Sequence, residues 1–210
     1  MAAVVSFVIL TGCGPKEDAG YIERQMPAIT EAAEKAKEAD MFWNEFFHGL
    51  CGKDPQIISR DINPYPDVPG YYLVTDYDSI ERIKDKGRKL YTEIALDVFF
   101  FEREDDPRYF ADAPELVGMP YLIEAEGNVY CLLAKGDRLF EPAYDYDIDT
   151  AQLAATAGQF TTCMVDIDYY RTGKPDQRKR CSLCLDKEGD KWLYSRPPFL
   201  SDEQPGLRVS

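Results

Sequence analysis

The chain has 210 residues, with 24 Lys and Arg against 38 Asp and Glu and one His, His48, giving a net charge of −14. Aromatic residues at 13% and apolar residues at 45% exclude a disordered acidic chain, and the length suits one domain with a tail or two small ones. The charge argues against a nucleic-acid partner, because phosphate backbones are held by clustered Lys and Arg and the basic run Arg178-Lys179-Arg180 is short. It favours a basic partner, which opposite potentials would steer into contact.

Residues 1–12 read MAAVVSFVILTG and carry no charged side chain. Their apolar run is too short to span a bilayer, which takes about 20 residues, and it suits the hydrophobic region of an export signal. Leu10-Thr11-Gly12-Cys13 follows and resembles the bacterial lipobox, whose Cys is diacylated and becomes the mature N-terminus. No Lys or Arg precedes the run, which departs from the usual export signal. Two acyl chains anchor stably where one is marginal. The expected organisation is a signal peptide over 1–12, a lipid-anchored tether over 13–24, one α+β domain over 25–200 and a tail over 201–210. The chain would then sit on the extracellular face of the cell membrane, touching it through the lipid on Cys13 only.

Further along, Ile29, Ala32, Ala33, Ala36, Trp43, Phe46, Phe47 and Leu50 recur at helical spacing. They predict a helix over 29–50 with Pro27 in its first turn. Residues 53–70 hold Pro55, Pro64, Pro66, Pro69 and Gly70 and read as an irregular connector. Residues 71–74 read as a short strand. Asp78-Ser79-Ile80-Glu81 resembles a capping box and opens a helix carrying Ile80, Ile83, Leu90, Tyr91, Ile94, Val98 and Phe101, which Gly87 can split. Residues 102–107 end it and 108–118 read as loop. From Met119 the period changes to two. Three hairpins are predicted, turning at Glu126-Gly127-Asn128, at Gly158-Gln159 and at Lys187-Glu188-Gly189-Asp190. The fold class is therefore α+β, with N-terminal helices followed by a curved antiparallel sheet in a cystatin-like or NTF2-like order.

Setting Cys13 aside leaves Cys51, Cys131, Cys163, Cys181 and Cys184, an odd number with at least one free thiol. Cys181 and Cys184 lie three apart on a predicted strand and so point to opposite faces. A reactive CxxC pair normally opens a helix. A zinc site from His48, Cys51, Cys181 and Cys184 is arithmetically open but disfavoured. The preferred reading is buried free thiols packed as small hydrophobes, with a Cys131–Cys163 bridge as an alternative. His48 lies in the aromatic helix end Phe46-Phe47-His48-Gly49 and reads as a capping or core residue. GxSxG, HExxH, P-loop and GxGxxG motifs are absent from the sequence. The carboxylate pairs Glu102/Glu104, Asp105/Asp106 and Asp166/Asp168 read as solvated surface. The expectation is a protein that is not an enzyme and carries neither cofactor nor metal.

Asp145-Tyr146-Asp147-Ile148-Asp149 begins like a calcium loop, but Thr150 and Thr156 stand where Gly and Glu are needed. On an extended chain the three Asp share one face, while Tyr144, Tyr146 and Ile148 share the other. Two readings stay open: a strand edge protected by charge, or a docking surface for a basic partner. The candidate contact residues are Asp145, Asp147, Asp149, Tyr144 and Tyr146.

Three runs carry a family resemblance: YYLVTDYDSIERIKDKGRKLYTEIALDVFF over 71–100, YLIEAEGNVYCLL over 121–133 and CSLCLDKEGDKWLYSRPPF over 181–199. Together they resemble the IseA-type DL-endopeptidase inhibitor family. The matching features are a strand, a T-x-Y-D-S-I-E helix start, a Y-T-E helix, an E-G-x-x-Y hairpin and a closing turn at Glu188-Gly189-Asp190-Lys191-Trp192. The resemblance covers about residues 25–199. It implies an exported protein of Gram-positive bacteria that binds NlpC/P60-type cell-wall hydrolases at their basic catalytic cleft and restrains peptidoglycan cleavage. The closing hairpin is also similar to that of cystatin-like and NTF2-like lipoproteins, where Trp192 would anchor the core. That similarity keeps open an NTF2-like small-molecule-binding protein, or an envelope-assembly lipoprotein without inhibitory activity.

Overall fold

A computed structural model describes residues 19–52, 55–68, 70–101, 118–132, 144–157 and 160–198. Helices come first: α1 (Ala19–Glu34) and α2 (Ala36–Asn44), then β1 (Tyr71–Leu73), α3 (Ile80–Gly87) and α4 (Glu93–Leu96). Six strands follow: β2 (Leu122–Ala125), β3 (Asn128–Leu132), β4 (Tyr144–Ala157), β5 (Thr162–Arg171), β6 (Lys179–Glu188) and β7 (Lys191–Tyr194). The α+β order is the one the periodicity predicts. The strands fall into two antiparallel sheets, β1-β3-β2 and β4-β5-β6-β7, where one meander was expected. The chain groups into two compact units, one of residues 19–41, 90–92 and 144–198, the other of the remaining described residues.

In the first unit α1 begins at Ala19, well before Ile29, and Pro27 sits exposed inside the helix instead of in its first turn. Tertiary contacts explain the early start. The Tyr21 ring meets Phe160 edge-on at 5.5 Å, and its hydroxyl accepts from Lys187 Nζ at 3.2 Å. Gln25 Oε1 accepts from Trp192 Nε1 at 3.3 Å. Such contacts outweigh the hydrogen bond that Pro27 cannot donate. Residues 19–24, expected in the tether, are therefore helical.

Ile29, Ala32, Ala33, Ala36 and Ala39 are buried, and these mostly small residues allow the helix a close approach to the sheet. Beneath them the sheet alternates as the sequence predicts, with Val165, Ile167 and Tyr169 of β5 and Cys181, Leu183 and Leu185 of β6 turned inward. At Lys35 the helix breaks, with Lys35 N bonding Ala32 O at 3.1 Å. The Tyr194 hydroxyl donates to Ala32 O at 2.9 Å, and the Tyr91 hydroxyl donates to Ala39 O at 2.7 Å.

Leu90 and Tyr91 are not helical, against expectation. Tyr194 N donates to Leu90 O at 2.8 Å and Thr92 N donates to Tyr194 O at 3.0 Å, forming a parallel bridge on β7. The outer edge of β7 has main-chain groups to satisfy, and residues 90–92 satisfy those of Tyr194. Phe160 adopts a left-handed φ of 65° and is held there between Tyr21 and Trp192, the latter at 5.6 Å.

The second unit is built on an aromatic cluster. Trp43 and Phe47 lie 4.4 Å apart, Phe46 meets Phe100 at 5.2 Å, and Phe46 stacks on Tyr121 at 5.2 Å. The helical run widens to a π-turn over Glu45–Gly49, which holds this row against Phe100 and Tyr121. Helix α3 starts one residue later than the capping box suggests. Ser79 Oγ accepts from Arg82 N at 3.4 Å, and the Ile80 N–H goes to Glu124 Oε1 at 2.7 Å. It stops at Gly87, where the sequence allows a split, and the position has to be glycine because a Cβ there would lie 2.6 Å from Leu96 Cδ2. The Glu126-Gly127 turn has φ of 52° and 74°, the primed geometry that suits a tight hairpin.

Cys51 and Cys131 form a disulfide across 80 residues. This corrects two readings: Cys51 is not a free thiol, and Cys131 does not pair with Cys163, which is buried in the other unit. In the chain-entropy picture a loop of that length contributes about 4–5 kcal/mol by restricting the unfolded chain. The loop expected over 108–118 lies, apart from Gly118, outside the described residues.

Trp192 is 4% exposed between Phe160 and α1. Trp192→Ala should lower the free energy of unfolding by ~3–5 kcal/mol in urea denaturation; a change near zero would remove Trp192 from the core.

Candidate functional site

The Asp-Tyr run lies on β4, a strand of 14 residues at the edge of its sheet, so the calcium-loop likeness does not correspond to a loop. The strand begins at Tyr144, earlier than the predicted hairpin arm at 151. Tyr144 is 8% exposed, and its N–H donates to the buried Asp40 carboxylate at 3.3 Å. Tyr146 turns inward as well. Its hydroxyl is buried without a hydrogen-bond partner, and burial pushes its pKa well above the usual tyrosine value. A partner would therefore meet the carboxylate face and the main-chain edge of β4 instead of the Tyr146 ring.

The three Asp have different surroundings. Asp145 receives Lys37 Nζ at 2.5 Å, and Asp147 receives Arg178 Nη1 at 2.5 Å. Asp149 is exposed. Asp147 faces Asp168 across the β4–β5 ladder, a like-charge pair that alone would repel. Arg178 and Arg180 offset this, with Arg180 Nη1 on Asp168 at 3.1 Å and Nη2 on Gln152 at 3.1 Å. The ladder slips between Asp147 and Gln152, and Thr150 fills the gap. Its hydroxyl donates to Asp147 O at 2.7 Å and accepts from Asp168 N at 2.8 Å. Asp149 is thus displayed on a bulge, a device that ends regular pairing on exposed edges.

The thiols behave as the strand alternation suggests. Cys163 and Cys181 are buried, and burial pushes each thiol up to about 12. Both stay protonated at neutral pH, which suits neither a nucleophile nor a metal ligand. Among the described residues no group of three His, Cys, Asp or Glu side chains gathers as a metal site. The sequence reading did not find the trio Tyr77, Lys86 and Glu45. Tyr77 donates to Glu45 Oε1 at 2.7 Å, and Lys86 Nζ reaches Glu45 Oε2 at 2.5 Å and the Tyr77 hydroxyl at 2.8 Å. Burial raises the Tyr77 pKa, so this phenol is not an activated base. Glu45 stands 32 residues before Tyr77, and no local pattern joins the three side chains. Cys13 lies outside the described residues, as does every other residue before Ala19.

No protein-family model matches the chain, and no curated protein matches it. Among the described residues no helix is long and apolar enough to cross a membrane.

Hydrogen bonding from Lys37 holds the Asp145 pKa below the ordinary carboxylate value. A depressed folded-state pKa contributes stability above the unfolded value and loses it as pH falls through the folded one. Lys37→Met should therefore raise the Asp145 pKa in an NMR titration; an unmoved midpoint would remove Lys37 as the cause. A second test addresses the thiols. Brief iodoacetamide treatment of native protein at neutral pH should leave Cys163 and Cys181 unlabelled by peptide mass spectrometry, while denaturant should expose both. Native labelling at either position would show that the sheet core opens.

Proposed function

We propose that the chain is an extracytoplasmic lipoprotein, anchored through Cys13, that inhibits peptidoglycan DL-endopeptidases of the NlpC/P60 type by occluding their cleft. The observation that carries this reading is the edge strand β4. Residues 90–92 bridge the other edge of its sheet at Tyr194, whereas among the described residues no strand pairs with the outer side of β4. A long open edge offers main-chain hydrogen bonds to an incoming segment. Asp145, Asp147 and Asp149 give that edge a negative character that complements a basic cleft. Lys37 and Arg178 hold two of these carboxylates in place, which lowers the ordering cost of docking. The α+β order of elements, with Trp192 closing the core, agrees with the family resemblance.

The alternative of an NTF2-like ligand cone draws less support. The space between α1 and its sheet, lined by Met26, Ile29, Ala33, Ile148 and Val165 among others, is about 20 Å³. That is room for roughly one water molecule, so this interior is packed core.

The decisive assay is digestion of purified cell wall by an NlpC/P60 endopeptidase with and without this protein. Dose-dependent loss of hydrolysis is expected, relieved several-fold by Asp149→Lys and weakened as salt rises. Unaltered hydrolysis at large excess over several such enzymes would overturn the inhibitor reading.

A further inference from the structure

Where α1 runs beside β4, the open edge has an apolar rim. Met26 and Thr30 of the helix and Ile148, Ala151 and Leu153 of the strand are half-buried and line one narrow space. The interior behind them is packed, so the apolar surface left open runs along the strand and not into the core. Asp149 stands exposed among these residues and forms no ion pair within the described residues, unlike Asp145 and Asp147. The β4–β5 ladder slips twice, between Asp147 and Gln152 and between Leu153 and Ala155. Such slips bend an edge and exclude a long regular partner strand. They leave room for a short one.

We propose that this edge takes a short extended segment whose alternate side chains are apolar and whose intervening positions carry Lys or Arg. The proposal names the chemistry of the partner and rests on the reading of β4 as the docking edge given above. Strand addition supplies main-chain hydrogen bonds, while alternate side chains decide which sequence is accepted. A strand laid about 4.8 Å outside β4 sets every second side chain along the rim of Met26, Ala151 and Leu153. Burial of apolar area favours aliphatic side chains there. The side chains between them turn away from the helix, and a cation among them pairs with Asp149. A second copy of β4 is a poor occupant. The strand reads YDYDIDTAQLAATA, carries no Lys or Arg, and would bring carboxylates to an edge that is already acidic.

The test is a 1H–15N NMR titration of the purified full-length protein with an acetylated, amidated peptide Val-Lys-Val-Lys-Val. Two comparison peptides replace every Val by Ser or every Lys by Glu. The first peptide should shift the Met26, Asp149, Ala151 and Leu153 resonances saturably, with both comparison peptides at least tenfold weaker. Asp149→Asn should weaken it several-fold with an unchanged melting temperature. Absence of saturation, shifts confined to β7, equal binding of either comparison peptide, or full binding by Asp149→Asn overturns the proposal. So do shifts of the same resonances with protein concentration alone, which would assign the edge to a second copy. The digestion assay separates this outcome from the inhibitor reading. Peptide binding as expected with no effect on hydrolysis overturns only the inhibitor, and inhibition by a protein that fails the peptide titration overturns only the segment chemistry.

Discussion

Two tyrosine hydroxyls hold the first unit together. Tyr194 and Tyr91 are fully buried, and each donates to a helix carbonyl, that of Ala32 or Ala39, on either side of the break at Lys35. Burial holds both phenols well above their usual pKa, so both remain donors across the accessible pH range. The same Tyr194 exchanges main-chain hydrogen bonds with Leu90 and Thr92. One residue therefore fixes helix to sheet, closes one sheet edge and draws in a distant segment. The alanines at positions 32, 33, 36 and 39 are a condition of this arrangement, since a larger side chain would lift the helix beyond hydroxyl reach.

Closing one edge has an electrostatic counterpart on the other. A strand carrying three Asp opposite another carboxylate would repel itself unless cations intervened. Lys37 supplies one from a helix, Arg178 another from the β5–β6 connection and Arg180 a third from β6. The net charge of −14 is thus not evenly spread: a paired carboxylate face lies on β4, and residues 171–180 at the sheet end hold five basic side chains against one acidic.

Much of the fold was legible where local chemistry decides it. The Glu126-Gly127 turn and the alternation of Cys181, Leu183 and Leu185 are each set by neighbours in sequence. What the sequence concealed depends on distant partners. The early start of α1 rests on Phe160, Lys187 and Trp192, and the bridge of Leu90 to Thr92 rests on Tyr194. Cys51 and Cys131 could not be paired from spacing, because an 80-residue separation carries no local signature. At the candidate site the Asp/Tyr alternation was legible. The ion pairs, the Thr150-filled bulge and the buried Tyr146 hydroxyl were not, since each needs a neighbouring strand or helix to exist.

The course of α1 and α2 along the sheet gives the first unit a mechanical direction. Tyr21 and Gln25 lie by Phe160 and Trp192 at one end of the strands, while Lys37 and Asp40 reach Asp145 and Tyr144 at the other. The ten residues of β5 separate those ends by roughly 30 Å. A pull between the N-terminus and anything gripped at the β5–β6 turn runs along the strand axes. It shears the helix over the sheet, and the two tyrosine hydroxyls resist that sliding together. A pull across the strands would instead open the ladder one hydrogen bond at a time.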